Sequence, residues 1–164
     1  MANGHGGAIV LKRMLVIAAL AAVANAALGQ TLLEEARRRL EDLRLGSYAT
    51  SHHVERMATD EAFRAAVWDA VERMGITKLY LEVYRGGHTV PSEQLVEVRD
   101  WLQGRDINVV GGIATVPGGD VGVRQQGPLG WFNWQNEKTQ RDLERIIRAS
   151  APLFDTFIVD DFLC

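Results

Sequence analysis

The sequence predicts an α/β protein that forms about the first half of a (β/α)8 TIM barrel, after an N-terminal signal segment. From residue 59 onward, β-prone runs alternate with helical patterns of about 12 to 15 residues, which is typical of βα units and a parallel sheet. A complete barrel needs about 250 residues, whereas this chain has 164 residues, with three clear strands and a candidate fourth. A small open three-layer sandwich is the alternative architecture.

The composition is that of an ordinary soluble globular protein, with 47% hydrophobic and 24% charged residues. The formal net charge of -3 provides no basic surface for nucleic acid, so we expect no nucleic-acid partner. The sole cysteine, Cys164, is the final residue, and no internal disulfide can form. The sequence contains neither a phosphate-binding GxxxxGK[ST] loop nor a Gly-x-Ser-x-Gly elbow, and it predicts no cofactor.

The N-terminus has the pattern of an export signal. Lys12 and Arg13 precede an apolar run at 14–24, and Ala24-Asn25-Ala26 matches a small-x-small cleavage site. The run is shorter than the roughly 20 residues that span a bilayer. We therefore expect a signal peptide at 1–26 and a secreted or periplasmic protein with no membrane association after cleavage. A buried helix and an uncleaved anchor are the alternatives.

The predicted N-terminal region, 27–58, contains a helix and a first strand. Thr31 can cap a helix over about 32 to 44, and Tyr48-Ala49-Thr50 is predicted as a short strand that ends at Ser51-His52-His53.

The predicted βα units occupy 59–164. Thr59 or Asp60 caps a helix that runs to Met74, and Gly75 ends it. The pattern then predicts, in order, a strand at 77–84, an exit loop at 85–88, a helix from Pro91 or Ser92 to Gly104, a strand at 107–115, a glycine-rich loop at about 116–135, a helix at 137–150 and a strand from Thr156.

Glu82 lies within an alternating strand pattern. Tyr80, Glu82 and Tyr84 are predicted to share one face, which would point into the barrel lumen. A buried carboxylate is costly unless it is paired, and Arg85 is the nearby partner. Both a lumen carboxylate that acts on substrate and a structural Glu-Arg pair agree with this pattern.

Asp160 and Asp161 follow the apolar end of the last predicted strand. The carboxyl ends of parallel strands carry the chemistry of barrels. Neighbouring strand residues face opposite ways, so one aspartate should point into the lumen, but parity alone does not say which. Paired acids suit glycoside hydrolysis, and a solvated strand end or helix cap is the alternative.

Aromatic residues and histidines supply the remaining candidates. Trp131 and Trp134 lie in the long loop and present flat faces on which sugar rings stack; an aromatic plug that packs the loop is the alternative. His52, His53 and His88 are metal-ligand types, but adjacent histidines in a strand diverge, so the sequence predicts no metal site.

Two segments resemble a known group of proteins. They are 74–85, Met-Gly-Ile-Thr-Lys-Leu-Tyr-Leu-Glu-Val-Tyr-Arg, and 154–162, which contains Phe154-Asp155 and Asp160-Asp161-Phe162. The chain is similar in these segments to the N-terminal half of secreted bacterial glycoside-hydrolase-like TIM-barrel proteins. The resemblance implies that Glu82, Asp160 and Asp161 line the sugar-binding end as catalytic candidates, and that further catalytic residues come from later strands. We expect carbohydrate contacts from Tyr84, Arg85, His88, Trp131 and Trp134.

The sequence therefore predicts a secreted glycoside-hydrolase-like protein that acts on or binds a carbohydrate, in a truncated form that lacks part of the active site. A metal-dependent polysaccharide deacetylase is one alternative, although that family expects a glycine where this chain has Phe162. A non-catalytic secreted carbohydrate-binding domain is the other.

Overall fold

A computed structural model describes residues 31–128 and 130–160. The predicted signal peptide at 1–26, Asp161 and Cys164 lie outside the described residues. Among the described helices, none has the length and apolar character needed to cross a membrane.

The described elements follow the predicted alternation of helices and strands. The helices are α1 (Leu32–Arg38), α2 (Ser51–Thr59), α3 (Glu61–Met74), α4 (Ser92–Gln103) and α5 (Glu137–Ser150). The strands are β1 (Gly46–Ala49), β2 (Lys78–Arg85), β3 (His88–Thr89), β4 (Asn108–Ala114) and β5 (Phe157–Asp160), and a 3-10 helix covers Ala151–Leu153.

Local signals explain where the helices begin and end. Thr31 and Glu34 form a capping box at α1, and the Asp60 carboxylate accepts a hydrogen bond from the backbone N–H of Phe63 at the start of α3. Gly75 ends α3 in the left-handed conformation, with a φ of 65°.

The prediction that α1 reaches about residue 44 is wrong, since its last helical residue is Arg38. The apolar stripe of a longer helix would include Leu40 and Leu43. Both side chains are exposed in the structure, so a longer helix would gain no burial from them.

The prediction that His52 and His53 extend a strand is also wrong. Thr50 precedes helix α2, which carries both histidines. The reason is tertiary packing, because Val54 and Met57 lie three residues apart on the buried face of α2 and are fully enclosed in the core. A strand would have pointed these two residues to opposite faces.

Four strands of the sheet are parallel and lie in chain order, β1-β2-β4-β5. β3 pairs antiparallel with the end of β2, so the predicted exit loop is instead a tight hairpin. Gly86 and Gly87 form its turn with φ values of 58° and 92°, which a two-residue hairpin of this kind requires. The result is a mixed α/β fold with a parallel sheet, compatible with a partial barrel.

One face of the sheet packs against helices. Leu79 and Leu81 of β2 join a core that includes Val54 of α2 and Val98 of α4. The opposite face, which we call the carboxylate face, is identified from strand register and alternation. It carries Tyr48, Tyr80, Glu82, Gly112, Ile158 and Asp160.

Tyr84 does not belong to the carboxylate face, contrary to the sequence prediction. Glu82 pairs with Gly112, but a register shift follows, and Tyr84 pairs with Ile113 instead of the residue after it. A one-residue shift in a strand turns the following side chains to the other side. Tyr84 is accordingly fully buried, with its ring beside Phe132 at 6.1 Å between centroids.

Candidate active site

Glu82 is a fully buried carboxylate with three different hydrogen-bond donors around it. Arg85 Nε lies 2.9 Å from Oε1 and 3.0 Å from Oε2, and the backbone N–H of Ser51 donates to Oε2 over 2.7 Å. The Tyr48 hydroxyl donates to Oε1 over 3.0 Å. These donors compensate for burying the charge. The predicted pairing of Glu82 with Arg85 is therefore present, while its action on a substrate stays a prediction.

Tyr48 links Glu82 to the neighbouring strands. Its ring stacks on Tyr80 at 6.2 Å, and a Cβ at Gly112 would meet its hydroxyl at 2.7 Å, so the ring lies directly over that glycine. Burial raises the pKa of the Tyr48 hydroxyl, and the negative charge of Glu82 raises it further. The hydroxyl therefore remains a proton donor toward Glu82.

Tyr48 and Ser51 are site residues that the sequence reasoning misses. The usable signal for Tyr48 is its place in the short first strand, since a parallel neighbour of β2 brings it level with Tyr80. No comparable signal exists for Ser51, because its contribution is a backbone N–H presented by the first turn of α2.

Asp160 lies at the carboxyl end of β5, two residues beyond Ile158. Ile158 pairs with Gly112, which pairs in turn with Glu82, so Asp160 shares the carboxylate face. The residue is exposed, whereas Glu82 is enclosed. Its charge is a minor cause of the raised Tyr48 pKa. The parity question left open by the sequence is thus answered for Asp160, while Asp161 lies outside the described residues.

The backbone of Asp160 fixes this end of β5 to β4. The Thr115 hydroxyl donates to the Asp160 carbonyl over 2.9 Å, and the Thr115 backbone N–H donates to the same oxygen over 3.3 Å. Thr115 is itself fully buried. The exposed carboxylate therefore stands on a backbone that is held to β4.

Tyr84 and Arg85 have different surroundings from one another. The Tyr84 hydroxyl accepts from the N–H of Gly87 and donates to the Val116 carbonyl, each over 2.9 Å, so it ties the hairpin to the loop after β4. The Tyr84 side chain has no exposed surface, so a sugar cannot stack on its ring. The side chain of Arg85 is 36% exposed while it holds Glu82, and so it can also reach a ligand.

The aromatic loop follows the carboxyl end of β4. Phe132 is fully buried, and its N–H donates to the Thr115 carbonyl over 2.9 Å. Trp134 is partly buried and packs edge-on against Phe132, with ring centroids 5.9 Å apart, at the border of the hydrophobic core. This geometry favours the aromatic-plug interpretation for Trp134. Trp131 is half-buried at the same edge of the sheet.

The helical position of His52 changes the interpretation of the histidines. His52 and Glu55 lie three residues apart on α2, and His88 reaches them from the β2–β3 hairpin. His88 Nε2 is 2.9 Å from Glu55 Oε2, and the His52 and His88 ring centroids are 4.2 Å apart. The prediction of no metal site assumed that adjacent histidines diverge along a strand. The structure does not contain that arrangement.

Residues 30–164 match the family model described as a probable glycosyl hydrolase, catalytic domain. The chain belongs to this family. The uncharacterized protein SSO3021 of Saccharolobus solfataricus is 23% identical over 133 residues, which cover 75% of this chain and 20% of that protein. The chain thus spans about a fifth of the length of this curated relative. No solved structure matches the chain.

Membership of the glycosyl hydrolase family agrees with the resemblance found in the sequence. The match includes every described strand, and with them both Glu82 and Asp160. The coarse assignment, a glycoside-hydrolase-like chain with an α/β fold, is therefore confirmed.

Proposed function

We propose that this chain forms the first half of a (β/α)8 glycoside hydrolase domain, secreted from the cell, which cleaves a carbohydrate. The observation that carries the proposal is the shared position of Glu82 and Asp160 on one face of a parallel sheet, toward its carboxyl end, in a member of a glycosyl hydrolase family. The parallel strands lie side by side in the order in which they occur along the chain, and this arrangement supports a barrel. In an open doubly wound sheet, the order of the strands reverses part-way across the sheet. The export pattern at 1–26 is the support for secretion.

The two carboxylates suit different roles. Asp160 is exposed and can approach a glycosidic oxygen or the anomeric carbon. Glu82 is enclosed by Arg85, Tyr48 and the Ser51 backbone. In our proposal, Asp160 is the catalytic carboxylate, and Glu82 positions Arg85 and Tyr48 beneath the substrate. Asp161 is the alternative catalytic residue at the same strand end.

The enclosure of Glu82 argues against it as the second catalytic acid. Its carboxylate is fully buried and accepts hydrogen bonds from Arg85, Tyr48 and the Ser51 backbone. The second carboxyl group of a glycosidase has to reach the anomeric carbon or the attacking water. We infer that the partner acid comes from residues outside the described part of the chain.

The carboxylate face offers a surface for a sugar ring. Ile158 is 37% exposed and lies on this face two residues before the exposed Asp160, while the half-buried Tyr80 lies on the same face further toward the amino end of β2. Arg85 supplies hydrogen-bond donors at the end of β2. Trp131 adds an aromatic group from the loop after β4. Apolar rings next to charged groups are suited to the two faces of a carbohydrate.

The test uses the natural protein that contains these residues. Its hydrolysis of a panel of aryl glycosides and polysaccharides is measured as kcat and KM, for the wild type and for Asp160→Asn and Asp161→Asn. We expect Asp160→Asn to lower kcat by about 10²- to 10⁴-fold, the range for losing a general acid or base.

Asp155→Asn is the matched control, because Asp155 is an exposed aspartate that precedes the same strand at the opposite edge of the sheet. It should leave kcat unchanged. A loss confined to Asp161→Asn would move the catalytic role to Asp161. Glycan binding without turnover would instead support the non-catalytic carbohydrate-binding function.

A further inference from the structure

We propose that His52, Glu55 and His88 bind a divalent transition-metal cation of the Zn²⁺ class. This inference goes beyond the proposed hydrolase function and does not depend on it. One ligand atom from each of the three residues lies within 4.8 Å of the other two. The cluster is composed of two imidazoles and one carboxylate, which is a donor set that zinc and related metals accept.

The fold creates this cluster from two elements that are distant in sequence. Helix α2 carries His52 and Glu55 at a spacing that places both on one side of the helix. His88 follows the two glycines of the hairpin turn and pairs with Arg85. The fold thus brings two of the four histidines in the sequence, His52 and His88, close to the carboxylate of Glu55.

The geometry is close to that of a bound metal. Zinc at about 2.1 Å from each donor in a tetrahedron holds the donor atoms roughly 3.4 Å apart. The widest separation, 4.8 Å, therefore has to shrink by about 1.4 Å, while the 2.9 Å between His88 and Glu55 has to widen by about 0.5 Å. The side chain of His52 is exposed, so it can move without disturbing the core. Three protein ligands would leave a fourth position for water.

The position of His88 indicates which of its nitrogens would bind the cation. Nε2 faces Glu55, with 2.9 Å between Nε2 and Oε2, so Nε2 is the atom that would coordinate an ion placed between them. The buried Nδ1, which has no hydrogen-bond partner among the described residues, is left outside the cluster. A dication between the two imidazoles and Glu55 would also balance the charge of that carboxylate.

The cluster lies next to the Glu82 network but is separate from it. The Ser51 N–H that binds Glu82 immediately precedes His52, and Arg85 is paired with His88 in the hairpin. A metal would fasten the first turns of α2 to the hairpin. It would thereby fix the positions of two of the donors around Glu82.

The experiment measures metal binding directly, without an activity assay. Chelator-treated natural protein is titrated with Zn²⁺ against a chromophoric chelator, and Co²⁺ is added separately to record the visible absorption of a low-coordinate site. We expect one equivalent of Zn²⁺ to bind at this cluster and to raise the melting temperature. His52→Gln and His88→Gln should each weaken binding at least about ten-fold, which is the scale of damage to a metal's ligand environment.

His53→Gln is the matched control. His53 is the neighbour of His52 on α2, but its ring packs against Phe63 at 5.8 Å and is not part of the cluster. This variant should bind Zn²⁺ like the wild type. Because His52 is exposed, His52→Gln keeps the test informative even if His88→Gln misfolds, and circular dichroism monitors both.

Two results would overturn the proposal. One is the absence of Zn²⁺ binding by the wild type. The other is equal binding by the wild type and His52→Gln, which would assign the metal to other groups such as His5 or Cys164. Both results leave the hydrolase proposal untouched, because neither measurement involves a glycan.

Discussion

The carboxyl ends of β2 and β5 present two acids on the same face of one sheet, yet in opposite surroundings. Glu82 of β2 is fully enclosed and accepts hydrogen bonds from Arg85, Tyr48 and the Ser51 backbone. Asp160 of β5 is exposed, and Thr115 anchors its backbone.

The difference follows from position in the sheet. β2 has a parallel strand on each side and helix α2 near its end, so donors approach Glu82 from several elements. β5 has a described neighbour only in β4. A carboxylate is therefore enclosed by hydrogen-bond donors at the end of β2 and exposed to solvent at the end of β5.

The largest expected difference in stability is between two variants that each remove one of the acids. Glu82→Ala should lower the free energy of unfolding by about 3 kcal/mol, because it leaves a buried N–H and the Tyr48 hydroxyl without an acceptor and Arg85 without a partner. Asp160→Ala should change it by less than about 0.5 kcal/mol, as exposed substitutions usually do. Urea denaturation at neutral pH measures both values. Similar losses from the two variants would show that the strand ends do not differ in this way.

A smaller effect is expected from the two central glycines of β4. A Cβ at Gly111 would lie 2.3 Å from the Phe157 ring, and one at Gly112 would lie 2.7 Å from the Tyr48 hydroxyl. Gly111→Ala should cost about 2 kcal/mol, in the range for overpacking. Gly112→Ala should cost about 1 kcal/mol, since only the end of the Tyr48 side chain has to move.

A double-mutant cycle sharpens this result. In a Tyr48→Phe background the hydroxyl that Gly112→Ala would strike is gone, so its cost should fall, whereas the cost of Gly111→Ala should not change. Equal coupling of both glycines to Tyr48 would mean that the two faces of β4 are not independent.

Tyr48→Phe should lower the free energy of unfolding by about 1 kcal/mol at neutral pH, as much as Gly112→Ala, because the hydrogen bond to Glu82 is lost. Its pH dependence carries more information. Burial raises the pKa of Tyr48 above its ordinary value of 10.0. Above that pH the unfolded chain releases this proton while the folded protein keeps it, so the stability of the wild type should fall as the pH rises.

Tyr48→Phe removes this contribution. The difference in unfolding free energy between wild type and variant should therefore shrink from about pH 9 to about pH 11, which denaturant titrations at fixed pH can follow. A constant difference across this range would contradict the enclosed position of Tyr48 beside Glu82.

The sequence by itself determined the family of the chain and, apart from the β2–β3 hairpin, the helices and strands from residue 59 onward. Asp60, Gly75 and Asn136 mark helix ends through their own side-chain or backbone preferences, and these are local effects. Asp160 at the end of β5 and the alternation around Glu82 were equally visible, because strand periodicity depends only on neighbouring residues.

Only the tertiary structure decided which side chains meet. The burial of Val54 and Met57 made a helix of the segment that holds His52, and the register shift after Glu82 turned Tyr84 away from the carboxylate face. Tyr48 donates a hydrogen bond to Glu82, and His88 lies within hydrogen-bond distance of Glu55. Both contacts join residues that are distant in sequence. Such contacts depend on strand order and packing, which no local pattern in the sequence specifies.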